Sequence, residues 1–411
     1  MKGFLTLDIV FEAQSLNYDQ GIGNYQELKK IHKNGRVYTL VSRYAIRYSI
    51  LEQGAKKHNW KLADRSILTE VGEKDNKVIQ PNVQYSTSRN GENSLSNLPN
   101  LLDYVDLNLF GFLITNFISI TKNKETKNIS LAREAPVKIT HAISMEPFKF
   151  DSHFNANIGL SKRYYGFPYS QNIFQVEEHR SYYKYSVIIE LAKIGTLEAY
   201  FSTDLLEDEI IKKIKEIESN SNKKVELDEE TLKGKGICIL RVKNNEDNTQ
   251  LIEQLVNVIL DLKRNIKGRV ENLEPVFMVA SYDEKFYDTC LNYIELETTN
   301  SRVTEIEEKS EDGKLVRRIS ERKLDGVVFN LKRLPTTKDW FVYTPSKELI
   351  SSSLLSLLNQ LGESNKSETG TNEEKVSKSS TSTSENTTNS KLITEKNQAL
   401  ERIKKWIKKN N

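Results

Sequence analysis

The order in which two hydrophobic periods alternate along this chain limits its fold more than any other property. Residues 3–12 (GFLTLDIVFE) set Phe4, Leu7, Ile9 and Phe11 among polar neighbours, which predicts a first strand. After the Asn34-Gly35 turn signal the chain is strand-like again. From Ser42 the repeat lengthens: Tyr44, Ala45, Tyr48 and Leu51 recur at helical spacing behind a serine suited to capping, which predicts a helix over 42–57. Strands follow at 133–144 and 182–191, an acidic then basic helix near 204–218, and a strand at 236–243. An amphipathic helix at 248–266 and a strand at 275–281 come next, and residues 299–333 read as a charged hairpin. The series strand, helix, strands, helix, strand predicts an α+β fold with a mostly antiparallel sheet and a ferredoxin-like, RRM-like core.

Other segments interrupt this order. Residues 64–100 are polar and irregular, as an insertion would be, and 147–180 is long, turn-rich, basic and aromatic. A connection of that length is usually functional or disordered, and its aromatic content argues against disorder. Beyond about residue 345 the pattern weakens. From Gly362 to Ser390 it collapses to Ser, Thr, Asn, Glu and Lys, so 346–390 is expected to be a largely disordered linker. Residues 391–411 end the chain with a cationic helix or tail around Trp406.

Composition excludes several classes. Sixty basic residues against 57 acidic give a net charge of +3, so any nucleic-acid site has to be a local patch. Two cysteines, Cys238 and Cys290, exclude a disulfide scaffold. Five scattered histidines without metal-ligand spacing predict no metal centre, and no cofactor motif stands out. The most apolar run, 105–120, is too short to span a bilayer and carries Asp106. The opening MKGFLTLDIVFEA is interrupted by Asp8 and Glu12 as a signal peptide would not be, so the expectation is a soluble cytoplasmic protein without membrane partners.

Three clusters could carry chemistry. Arg43 and Arg47, four apart, share one face of the predicted helix near its start, where guanidiniums and outward N–H groups suit a phosphate. Arg133, Lys138 and His141 occur together in LAREAPVKITHAIS, but a strand's period of two separates Lys138 from His141. Lys162, Arg163, Tyr164 and Tyr165, followed by Phe167, Tyr169 and Phe174, interleave cations with rings, as single-strand binding requires. No nucleophile elbow or phosphate loop is present, and Gly21-Ile22-Gly23 is only a fragment of a nucleotide fingerprint. The residues alone point to an RNA-binding protein.

Five segments in sequence extend that reading: SLNYDQGIGNYQELKK with VYTLVSRYAIRYSI, DLNLFGFLI, REAPVKITHAISMEPFKFDSHFNANIG and SYYKYSVIIELAKIG. In order and spacing, over roughly 1–290, they resemble the repeating backbone subunit of the type I-B CRISPR Cascade complex, the DevR family. The resemblance implies an RRM-like palm over 1–345, with a fingers-like insertion at about 60–100 and a thumb at about 147–180. It implies a non-enzymatic subunit that stacks head to tail along a guide crRNA, beside other Cascade subunits, and presents the guide for pairing with target DNA. Arg43 and Arg47 match the family's helix-borne phosphate contacts. Asn17 falls in a loop near RNA in such subunits, and the stretch around His141 leads into the thumb. Ordinary RRM aromatic motifs are missing, which argues against RNA on the open sheet face. Two other readings are an RNA-cleaving backbone subunit like type III relatives, with Asp19 as its candidate acid, and a free-standing single-stranded RNA-binding adaptor.

Overall fold

Strand β1 (Phe4–Gln14) is buried on both faces, which places it at the centre of a sheet rather than on a solvated surface. Leu5, Leu7, Ile9 and Phe11 enter one core, whereas Val10 enters another on the opposite side. A computed structural model describes residues 2–72, 76–86, 94–122, 125–167, 173–202, 208–220, 224–228, 237–243, 248–311, 314–367 and 390–409. The other strands of the main sheet are β2 (Lys30–Lys33), β3 (Arg36–Val41), β4 (Val137–Ile139), β5 (Ala142–Ser144), β6 (Arg180–Glu190), β7 (Phe277–Asp283), β8 (Asp339–Tyr343) and β9 (Leu392–Ile393). Their order is β9-β8-β7-β1-β6-β5-β3-β2, with β4 also on β6. Every pairing is antiparallel except β8 with β9, and Leu7 faces Val187 on one side and Ala280 on the other. The protein is therefore mixed α/β and dominated by antiparallel sheet.

Three helices cover one face of this sheet: α1 (Arg43–His58), α2 (Thr249–Leu260) and α3 (Lys396–Lys409). They contribute Ile46 and Ile50, then Ile252, Leu255 and Ile259, then Ala399, Ile403, Trp406 and Ile407 to a single core with Leu5, Leu7 and Ile9. Asp261, just past α2, ties the other two together, because its carboxylate accepts from Lys57 Nζ and Lys396 Nζ, each at 2.6 Å. Burying this much apolar surface in one continuous core is the main force holding the layers together. The residues whose spacing announced α1 are not those it buries. Ile46, Ser49, Ile50 and Gly54 face inward, while Tyr44 and Tyr48 are 62% and 61% exposed.

Gly54 explains how α1 meets the chain after it. A Cβ there would lie 2.0 Å from the Trp60 ring, whose Nε1 donates to Gln254 on α2 at 2.8 Å. Alanine normally stabilises a helix interior by about 1 kcal/mol over glycine. Here Gly54→Ala is expected to destabilise by about 1–3 kcal/mol, because Trp60 must move. A thermal melt checks the sign; a stabilised variant would mean that Trp60 does not brace the helix.

The opposite sheet face packs Phe277, Val279 and Val342 against Phe329, Leu331, Ile350, Leu354 and Leu358. Phe329 and Leu331 belong to a long two-stranded hairpin, Ile294–Glu311 with Lys314–Leu331, at the site of the expected charged hairpin. Leu354 and Leu358 lie on the helix Ser352–Ser367, so the first part of the expected 346–390 linker is folded; 368–389 lie outside the described residues. A third core joins Leu98, Leu101, Phe117 and Leu131 to Leu197, Phe201 and Leu240. The 64–100 segment, read as irregular, thus holds short strands and a 3-10 turn that share a core with 105–131 and 196–242.

Candidate nucleic-acid interface

Helix α1 begins where the sequence reading set it. Ser42 is extended, and its hydroxyl oxygen accepts from Ala45 N at 3.2 Å. Two distant residues complete the cap. Asn17 Oδ1 accepts from Ser42 N at 2.9 Å, and His141 Nδ1 accepts from Arg43 N at 3.0 Å, which leaves the imidazole proton on Nε2. The fold therefore brings Asn17 and His141 to the helix carrying Arg43 and Arg47, but in a capping role. Since the N–H groups of Ser42, Arg43 and Ala45 already have partners, the guanidiniums are the main hydrogen-bond donors for an anion at this helix end.

Those guanidiniums line an open groove of about 310 Å3 together with Tyr44, Phe110, Ala135, Val137, Lys138 and Ile139. Arg43 is exposed, lies 5.0 Å from the Tyr44 ring centre, and donates from Nη2 to the Tyr44 hydroxyl at 3.0 Å. Arg47 is half-buried and sits 4.7 Å over the Phe110 ring. Burial lowers its pKa, and the Asp106 charge opposes that shift. Lys138 reaches the rim, where its Nζ pairs with Glu134 at 2.8 Å. Lys193 holds the same carboxylate at 2.9 Å, and these two lysines drive the Glu134 pKa down to about 2. Arg43, Arg47 and Lys138 thus converge, although 91 residues separate Arg47 from Lys138.

Arg133 is corrected by the structure. It is 6% exposed, and its guanidinium makes five hydrogen bonds of 2.6–3.2 Å, to the carbonyls of Leu107, Asn108, Lys193 and Thr196 and to Asn108 Oδ1. With its five N–H donors engaged it braces residues 107–108 against the 193–196 segment and is unavailable to RNA. Burial lowers its pKa to about 10, so it stays charged at neutral pH.

Lys162, Arg163, Tyr164 and Tyr165 lie elsewhere, on the helix Ile158–Tyr165, capped by Asn157 and ended by Gly166 at φ 78°. This short helix, which periodicity missed, sits between the strands Ser152–Ala156 and Ile173–Glu177; 168–172 lie outside the described residues. The second of these strands pairs with Tyr25–Gln26 of the loop after β1, and buried Glu177 pins the junction by accepting from Leu28 N and Lys30 Nζ. Phe150, Phe154, Leu160, Tyr164 and Phe167 are all more than half exposed, so this segment is an aromatic surface rather than a satellite core. Asp19 is also exposed and pairs with Lys29 at 3.6 Å.

Sequence reasoning missed two arginines that tie α1 and the chain after β1 to a later hairpin. Arg264 donates to Leu16 O, Ala45 O and Ser49 Oγ, each at 3.0 Å, and Arg269 donates to Gln14 O and Ser15 O. Both belong to the hairpin Lys263–Ile266/Arg269–Asn272, whose first strand lies where the spacing predicts the end of helix 248–266. The signal was its turn, Lys267-Gly268, with both residues at positive φ.

Fold and groove together define a mixed α/β protein with a cation-rich, aromatic-lined surface cleft beside a helix-backed antiparallel sheet. The chain belongs to the family described as CRISPR-associated negative auto-regulator DevR/Csa2, whose model matches residues 5–297. No curated protein matches it. Among solved structures, a chain titled "CRISPR RNA-guided surveillance complex, pre-nicking" is 10% identical, with 68% of this chain and 78% of that one covered, at a TM-score of 0.40. Another, titled "CRISPR RNA-guided surveillance complex", is 10% identical, with 68% of each chain covered, at a TM-score of 0.33.

Proposed function

We propose that this protein is the repeating backbone subunit of a type I-B Cascade complex, binding the guide crRNA through its phosphates. The observation that carries the reading is the convergence of Arg43, Arg47 and Lys138 on one open groove. Cations without base-edge readers suit sequence-independent binding, in which pairing between guide and target DNA supplies specificity. The strand order β7-β1-β6-β5, with α1 and α2 across one face, supports a ferredoxin-like, RRM-like palm. The exposed aromatic segment at 147–180 serves as the thumb, and the third core, built from 60–131 and 196–242, as the fingers.

Copies stack head to tail along the guide and meet the other Cascade subunits, a heterologous contact that needs no closed symmetry. The role is to hold RNA, not to cleave it, in the cytoplasm. Among the described residues no helix is long and apolar enough to cross a membrane. Co-expression with a repeat-spacer RNA, followed by light scattering with the absorbance ratio, is expected to give a large particle containing discrete RNA and several protein copies. A nucleic-acid-free monomer inert to added guide would overturn the proposal.

A further inference from the structure

Resting on the reading of the groove as an RNA site, we infer that it grips a base as well as phosphates, with the exposed Tyr44 ring stacking one unpaired nucleobase. Two guanidinium–ring pairs line the same cleft, Arg43 with Tyr44 at 5.0 Å and Arg47 with Phe110 at 4.7 Å. Phe110 is only 8% exposed and lies under Arg47, so the planes left to meet a base are the Tyr44 ring and the guanidiniums, both of which stack on bases. Ala135, Val137 and Ile139 make the rest of the lining apolar, and Lys138 adds a third cation. Glu134, which pairs with Lys138, is also held by Lys193, and Asp106 is the other carboxylate that acts on the groove, through Arg47. A volume of about 310 Å3 lies at the small end of ligand pockets, which suits a single base rather than a paired stack.

The exposure of Tyr44 points the same way. Helix α1 packs through Ile46 and Ile50, so the fold does not use the Tyr44 ring, yet it stands 62% exposed at the groove. Tyr48, one turn further and 61% exposed, continues that face of the helix and offers a ring for the next base. Because every base has a π-face, such a contact tolerates any sequence, as a guide with variable spacers requires.

The experiment measures the full-length protein against single-stranded RNA and against the same ribose-phosphate length made abasic, across a salt series. Wild type is expected to prefer the base-bearing strand by at least about fivefold, with equal salt slopes for the two. Tyr44→Ala is expected to reduce that preference with its salt slope unchanged, whereas Tyr44→Phe keeps the preference because the ring remains. A Tyr44→Ala variant with undiminished preference would place the stacking elsewhere, for instance at Tyr164, and overturn the inference. Equal wild-type binding of both strands would also overturn it while leaving the phosphate reading intact. Binding of neither strand would remove both.

Discussion

Replacing Arg43 and Arg47 together with alanine is expected to weaken binding of single-stranded RNA about a hundredfold at low salt. Hydrogen bonds to charged groups contribute about 1.5–3 kcal/mol each, and the two guanidiniums occupy the same groove. The loss should be alike for unrelated RNA sequences, since phosphate contacts carry no sequence information. The slope of log affinity against log salt should flatten by about 1.4, at roughly 0.7 per single-strand phosphate contact. Fluorescence anisotropy over a salt series reads both quantities. Arg47 also covers Phe110, so Arg47→Lys serves as a control that keeps charge while weakening the stack. Unchanged affinity and slope in the double variant would remove the central site assignment.

A variant of the third basic residue should behave in the opposite way. Arg133→Ala is expected to destabilise the protein by about 3 kcal/mol or more, because it leaves a buried cavity and deprives four backbone carbonyls of a donor. The effect should appear as a lowered melting temperature, while the folded fraction binds RNA as wild type does. A stable Arg133→Ala protein with impaired RNA binding would mean that this guanidinium contacts RNA rather than bracing the fold.

The elements that sequence made legible are those whose signals are local. Ser42 caps its own helix, and the alternation in β1 and the apolar content of α2 are set by nearby residues. Arg43 and Arg47 could be paired for the same reason, as helix neighbours. What stayed hidden depends on distant chain segments. Nothing near Arg133 announces that the carbonyls of Leu107 and Lys193 will surround it, so a buried structural arginine looked like a basic strand start. Nothing near Lys138 announces that β4 lies beside α1. Tyr44 and Tyr48 fit a helical repeat that polar Ser49 and small Gly54 in fact occupy, because the Trp60 ring fills the space at Gly54. The expectation of a cationic helix or tail over 391–411 carries no docking, yet this helix docks, since Ala399, Ile403, Trp406 and Ile407 share one side and supply a core stripe that its lysines mask in bulk composition.

That docking bears on how the protein is made. Strand β9 and helix α3 complete the main sheet, with Trp406 set 5.4 Å from Phe341 and 6.4 Å from Tyr282. They are translated after every other described element. Until they emerge, a nascent chain holds β8 as an unpaired edge beside an open apolar face, the pair of features that invites aggregation and chaperone capture. Their emergence is therefore also the step that covers the sheet's edge and its open face. Chains cut short by stalled translation would be marked for removal by their own exposed surface.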